Sequence, residues 1–279
     1  MNKTKIPWCD WTWNPFTGCS AVSEGCVNCY ARELSTRFSW PWGEATWHPK
    51  RLFELGQAKA GDLIFVCSMG DFFHHTAHDA WRDSVMHEII EHPELTFLIL
   101  TKRAELMREY FVRFRAPDMY VTQGYDMPQN LWLGVTAENQ TRANERIPVL
   151  LSIPDVAVTF ASVEPMLGPV DLRGFMPRLD WVIAGPENGP KARNFDPWWI
   201  EKLCGEVVCA GSKFFDKREI PDVVREFPGH AAYDNCCHAE NGRCRHPENT
   251  QFRDCVECPL FQKLSDEEYG ASADDELGG

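Results

Sequence analysis

No apolar run in the 279-residue chain approaches the ~20 residues that a helix needs to cross a bilayer. The opening Met1-Asn2-Lys3-Thr4-Lys5-Ile6-Pro7 lacks the apolar core of a secretory signal. Both absences lead to the expectation of a soluble, cytoplasmic protein with no membrane partner. Positive charge is also short: 28 Lys and Arg stand against 41 Asp and Glu, a formal net charge of −13. Such a surface repels a phosphate backbone, which excludes nonspecific coating of nucleic acid and leaves nucleic acid a partner only through a localised basic face. From Ser265 the chain has few apolar residues but carries Asp266, Glu267, Glu268, Asp274, Asp275 and Glu276, so residues 265–279 are expected to be a disordered acidic tail.

Cysteine, by contrast, is plentiful. Most of the twelve fall in two short stretches, which points to metal or cluster ligation rather than a disulfide framework. The first stretch holds Cys19, Cys26 and Cys29 in a C-x6-C-x2-C loop, one thiolate fewer than a closed tetrahedral site requires. Thiolates select zinc, copper(I) or iron–sulfur clusters. A [4Fe–4S] cluster held by three cysteines leaves its fourth iron open to an outside ligand, commonly S-adenosylmethionine in radical chemistry. The other reading is a structural zinc knuckle completed by Cys9 or His48. The second stretch runs Cys236-Cys237-His238, Cys244, His246 and Cys255-Val256-Glu257-Cys258-Pro259, in polar surroundings too poor in apolar residues for a core. Cys237, Cys244, Cys255 and Cys258 are its expected ligands, with Cys236 or His238 as substitutes for Cys237. A second iron–sulfur cluster or zinc would supply the order. Cys67, Cys204 and Cys209 stand alone and read as core residues.

Short β-rich apolar runs recur at Leu63–Cys67, Thr96–Leu100, Leu131–Val135, Val158–Ser162, Trp181–Ala184 and Lys213–Phe215, with a first strand at Trp11–Pro15. Helical patterns separate them at Asp79–His92, Glu105–Phe114 and Arg142–Leu151, with another at Tyr30–Phe38, while 39–61 reads as irregular. This is an α/β chain built from repeated β-α connections. One large domain over 1–228, a Cys-rich appendage over 229–264 and the acidic tail are expected. Polar residues follow strand after strand: Gly70-Asp71, Lys102-Arg103, Glu138-Asn139, Glu164 and Glu187. In a (β/α) barrel those ends share one face. Asp71, Lys102, Glu138, Glu164 and Glu187 are therefore expected to gather at one mouth with the three-cysteine loop. Gly70, Asp71 and Glu138 are read as cofactor-binding and Lys102, Glu164 and Glu187 as catalytic. The remaining basic residues, Arg103 to Arg115 and Arg142 with Arg146, read mostly as solvated helix surface. The tryptophans around the loop, Trp8, Trp11, Trp13, Trp40, Trp42 and Trp47, suit either packing or base stacking.

The set Trp13-Asn14-Pro15-x-Thr17-Gly18-Cys19, Ser68-Met69-Gly70-Asp71, Leu100-Thr101-Lys102-Arg103, Trp132-Leu133-Gly134-Val135, Ser162-Val163-Glu164-Pro165 and Trp181-Val182-Ile183-Ala184-Gly185 resembles the phage three-cysteine-motif protein family over about residues 8–217. That family looks like a divergent branch of the radical S-adenosylmethionine enzymes. The resemblance implies a partial (β/α)6, TIM-like barrel. It implies a [4Fe–4S] cluster on Cys19, Cys26 and Cys29, with reductive cleavage of a bound S-adenosylmethionine to a 5′-deoxyadenosyl radical. The expected activity is that of an iron–sulfur radical enzyme on a nucleotide, nucleic-acid base or other small polar substrate, served by a reductant and open to a separately encoded partner protein. The competing expectation is a non-catalytic binding protein whose zinc or cluster sites only stabilise its fold.

Overall fold

A computed structural model describes residues 1–116, 124–218, 220 and 223–228, together with the backbone of two short strands near residue 240. The elements in chain order are β1 (Asn2–Lys3), β2 (Trp11–Trp13), β3 (Phe16–Thr17), α1 (Tyr30–Arg37), β4 (Thr46–Trp47), β5 (Leu63–Val66), α2 (Asp79–Glu91), β6 (Thr96–Thr101), α3 (Ala104–Phe114) and β7 (Leu131–Thr136). Then follow α4 (Gln140–Leu150), β8 (Val158–Val163), β9 (Trp181–Ala184), α5 (Pro197–Cys209), β10 (Lys213–Asp216), β11 (Ala239–Glu240) and β12 (Arg243–Cys244). Every strand and helix expected from the apolar patterns is present. The stretch 39–61, expected to be irregular, contains β4 and a 3-10 helix over Pro49–Gln57.

Eight strands form one sheet in the order β1-β2-β5-β6-β7-β8-β9-β10. All neighbours pair in parallel except β1, which is antiparallel to β2. Strands added in sequence order through right-handed crossovers put their helices on the same face. That face holds the larger core: Ile64, Val66, Phe97, Ile99, Leu133, Val135 and Val182 pack against Met86, Ile89, Met107, Phe111, Ile147 and Leu203. Because successive strand residues point to opposite sides, the intervening positions Phe65, Leu98, Phe160, Trp181, Ile183 and Phe215 form a second cluster with Trp8 and Cys9 on the other face. Both faces being buried explains why these strands read as continuous apolar runs.

The second face is concave. Strands β5 and β9 lie four spacings apart, roughly 19 Å on a flat sheet at ~4.8 Å per strand. Yet the Trp8 ring lies 4.8 Å from Phe65 on β5 and 6.5 Å from Trp181 on β9, centroid to centroid. Only a strongly curled sheet brings both to one indole. The curl stops short of closure, since among the described residues β1 and β10 do not pair with each other, and the outer edge of β10 instead bridges at Phe215 to Arg225. No described helix is long and apolar enough to cross a membrane.

Helix starts follow local chemistry. Asn139 caps α4 by accepting the Arg142 N–H at 3.0 Å, and Asp196 caps α5 by accepting the Trp198 N–H at 3.0 Å, with Pro197 in the first turn. Of the second cysteine cluster, Cys237, Cys255 and Cys258 lie outside the described residues, as do Cys236, His238, His246 and the acidic tail. Cys244 is described only as backbone in β12, paired with Ala239.

Candidate functional site

The three-cysteine loop leaves β3 and returns to the fold as α1, with Cys29 at the N-cap position. Its first residues are fixed by backbone. Gly18 donates its N–H to the Met69 carbonyl at 3.0 Å and bridges to Gly70 on the loop leaving β5. Gly18 has a φ of +96°, and a side chain there would run into the Glu44 carbonyl oxygen, so glycine is required on both counts. Asn14 accepts the Met69 N–H at 2.8 Å, and the Tyr30 hydroxyl donates to the Ser68 carbonyl at 2.6 Å. The chain ends after β2 and β5 are thereby stitched together beneath the loop.

Arginines then anchor the loop to strand ends farther along the sheet. Arg103, just after β6, donates to the Ser20 carbonyl at 2.9 Å, to the Ser20 hydroxyl at 3.0 Å and to the Cys19 sulfur at 3.5 Å. The same guanidinium forms a buried ion pair with Asp71 at 2.7 Å. Asp71 also accepts the Thr101 hydroxyl at 2.7 Å and the Phe73 N–H at 2.9 Å. After β7, Glu138 is wholly buried, paired with Arg146 at 2.7 Å and accepting the Ser23 hydroxyl. Arg142 of α4 pairs with Glu24 at 3.0 Å. After β9, Glu187 is held by Arg193 and accepts the Asn28 side-chain N–H at 3.0 Å, while Arg193 also reaches the Glu24 carbonyl at 3.1 Å.

The strand ends therefore converge on the loop. Asp71, Glu138 and Glu187 each meet it directly or through one arginine, and Gly70 touches its first turn. Lys102 lies beside Cys26, and its ammonium has no hydrogen-bond or ion-pair partner among the described residues. Glu164 is paired with Lys217, across from β8 to the end of β10. The reading of Arg103, Arg142 and Arg146 as solvated surface is corrected: Arg103 and Arg146 are buried, and all three hold the loop or its supports. Arg193, Glu24, Ser23 and Asn28 carried no sequence signal, because their partners lie far along the chain.

The electrostatics divide the cysteines. Burial pushes the Cys19 thiol up to about 11, with Asp71 adding to the effect and Arg103 opposing it. At Cys26 burial also works upward, but the Lys102 charge, backbone hydrogen bonding at Val22 and Ser23 and the Ser23 hydroxyl outweigh it and hold the thiol below its usual value. His74 sits behind the loop with no exposed surface, bonded to the Ser20 hydroxyl at 2.8 Å and to the Thr76 hydroxyl at 2.9 Å. Of the two candidate fourth ligands, Cys9 is buried on the concave face, where burial raises its thiol to about 12. His48 is bonded to the Thr17 hydroxyl at 2.9 Å. Among the described residues no three His, Cys, Asp or Glu side chains are placed to hold a metal ion.

Comparison with known proteins finds one family model, described as a protein of unknown function (DUF5131), matching residues 3–224. No curated protein and no solved structure matches the chain.

Proposed function

Since the chain belongs to the DUF5131 family of proteins of unknown function, we propose a function from the site itself: an iron–sulfur enzyme of the radical S-adenosylmethionine kind, acting on a nucleotide, nucleic-acid base or other small polar substrate. The observation that carries it is the three-cysteine loop anchored to the ends of β5, β6, β7 and β9. We read the curled, unclosed sheet as a partial (β/α) barrel, whose strand C-termini are where such folds place chemistry.

The residues fit a cluster in donor type. Cys19, Cys26 and Cys29 offer three soft ligands, the surroundings of Cys26 hold its thiol below the usual value, and α1 begins at Tyr30, directly after Cys29, where a helix N-terminus favours an anion. When bound, a cluster there would supply one-electron reduction of a sulfonium. The chain's own side chains do the rest. Arg103 fixes Cys19 and donates to its sulfur, Glu138 and Glu187 hold the loop at Ser23 and Asn28, and Lys102 presents a free cation beside Cys26 for an anionic group of substrate or cofactor. A reductant is required, and a separately encoded partner protein is compatible with this reading.

A second reading has its own support. Asp71, Glu138, Glu164 and Glu187 are each already paired with a cation, as a loop held only for its structure would require. On that reading the protein is a metal-stabilised binding module. Anaerobic purification with iron, sulfide and zinc analysis separates the two. The enzyme reading expects iron and sulfide that are lost when Cys19, Cys26 and Cys29 are replaced, and an electron paramagnetic resonance spectrum that changes on adding S-adenosylmethionine. Stoichiometric zinc on these cysteines would overturn it.

A further inference from the structure

A cleft of about 400 Å³ is lined in part by Thr17 and Gly18, just before the cysteine loop. It falls in the ~300–1,000 Å³ range of small-molecule sites. One wall is the segment after α1, carrying Trp40 and Trp42. This wall is tied to the loop, since Gly43 donates its N–H to the Cys19 carbonyl at 3.1 Å. The lining also includes Arg51 and Glu54 of the 3-10 helix over Pro49–Gln57, His48 before it, and Thr12 of β2.

The aromatic wall is a ready platform. Trp40 is 52% exposed, although it is stacked on Phe38 at 5.0 Å and its backbone N–H is bonded to the Ser35 carbonyl at 2.8 Å. An indole held in place yet left open keeps its stacking surface for something outside the fold. The same cleft is lined by residues with unspent polar groups. The Thr12 hydroxyl has no partner among the described residues. His48 spends Nε2 on Thr17 and keeps Nδ1, and Arg51 spends one N–H on the Asn14 carbonyl at 3.0 Å and keeps the others. A flat ligand with both donors and acceptors along its edge suits that set.

Charge narrows the class. Two cations line the cleft, Arg51 and the Met1 amino group, the second already paired with Glu54, and the whole chain carries −13. A phosphate gains little there. We propose that this cleft binds a nucleobase, free or as its nucleoside, stacked on Trp40 and read along its edge by Thr12, His48 and Arg51. The site shares no residue with Cys19, Cys26 and Cys29 and does not depend on the proposed chemistry; His48, one of the two candidate fourth ligands of the zinc reading, is bonded instead to Thr17.

Calorimetric titration of the full-length protein with adenosine, guanosine, cytidine and uridine tests it, with ribose and inorganic phosphate as further probes. Saturable binding of at least one nucleoside is expected, weakened roughly tenfold by Trp40→Ala, as loss of a stacking platform entails. Thr12→Val keeps the shape of β2, should also weaken binding, and gives the answer should Trp40→Ala not fold. No saturable heat with any nucleoside, unchanged affinity in the folded variants, or equal binding of ribose would overturn the proposal. Metal does not enter the readout, so zinc at the cysteines would leave base binding standing, and absent base binding would leave the cluster reading standing.

Discussion

The Glu138 carboxylate fills the space that a side chain at residue 25 would need: a Cβ built on Gly25 falls 2.9 Å from its Oε1. Glu138 cannot swing away without leaving Arg146 and Ser23. Gly25→Ala is therefore expected to lower stability by ~1–3 kcal/mol, the usual cost of overpacking. Gly205, inside α5 with nothing within 4 Å of its missing Cβ, serves as the contrast. Gly205→Ala should raise stability by up to ~1 kcal/mol through helix propensity. Urea denaturation of both variants checks the opposite signs.

Arg103 neutralises Asp71 in a buried setting and at the same time grips Ser20 and Cys19. Arg103→Ala strands a buried carboxylate and should cost ~3–5 kcal/mol. Arg103→Lys keeps the charge but not the planar fork that reaches several acceptors at once. It is expected to lose less global stability while speeding amide exchange over residues 19–29. Equal exchange in wild type and Arg103→Lys would show that the loop does not depend on the fork.

Stability should fall with acid in two stages. Burial, with Arg103 adding to it, lowers His74 to about 4 from its ordinary 6.5. The unfolded chain then takes up a proton that the folded chain refuses, so stability erodes from about pH 6.5 down to about pH 4. Glu187 is held at about 2 against an ordinary 4.5, chiefly by its hydrogen bond from Arg193. Its contribution is full above about pH 4.5 and is lost as the pH falls toward 2. Urea midpoints measured across pH should lose the upper descent in His74→Gln and part of the lower one in Glu187→Gln.

If the loop cysteines hold a cluster, Cys26→Ala should lower iron content and leave the thermal midpoint of the protein nearly unchanged, because the loop lies outside both apolar clusters. Cys67→Ala reverses the pattern. Cys67 is buried in the main core, so its loss should lower the midpoint and spare the iron. Collapse of the Cys26→Ala variant on mild heating would favour a structural role for the loop.

The strands were legible because both of their faces are buried, which turns Leu63–Val66 or Thr96–Thr101 into unbroken apolar runs, and the in-order β-α rhythm made a mostly parallel sheet readable. Strands β1, β3 and β4 are two residues each and have no period to show. The meeting of Asp71 (through Arg103), Glu138 and Glu187 with the loop was legible from their place at strand ends, whereas Glu164, expected beside them, pairs with Lys217. Their anchoring partners were not. Ser20 with Arg103, Glu24 with Arg193 and Asn28 with Glu187 are pairs that meet only after the sheet has assembled, and a charged residue looks the same in sequence whether water or a carboxylate will surround it. The aromatic-walled cleft was half visible, as tryptophans that suited either packing or base stacking.

Trp8 precedes β2, yet its indole lies against rings from β5 and β9. An early residue thus acts as a keystone for an arch whose far side is made much later in the chain. Contacts of such long sequence separation form slowly, because the intervening chain must first be brought together. The curl of the sheet, and with it the spacing among the strand ends that grip the cysteine loop, is therefore set late in folding. A nascent chain that has emerged only through α4 would carry the three cysteines without the arginine and glutamate of the β9 end that later fasten them.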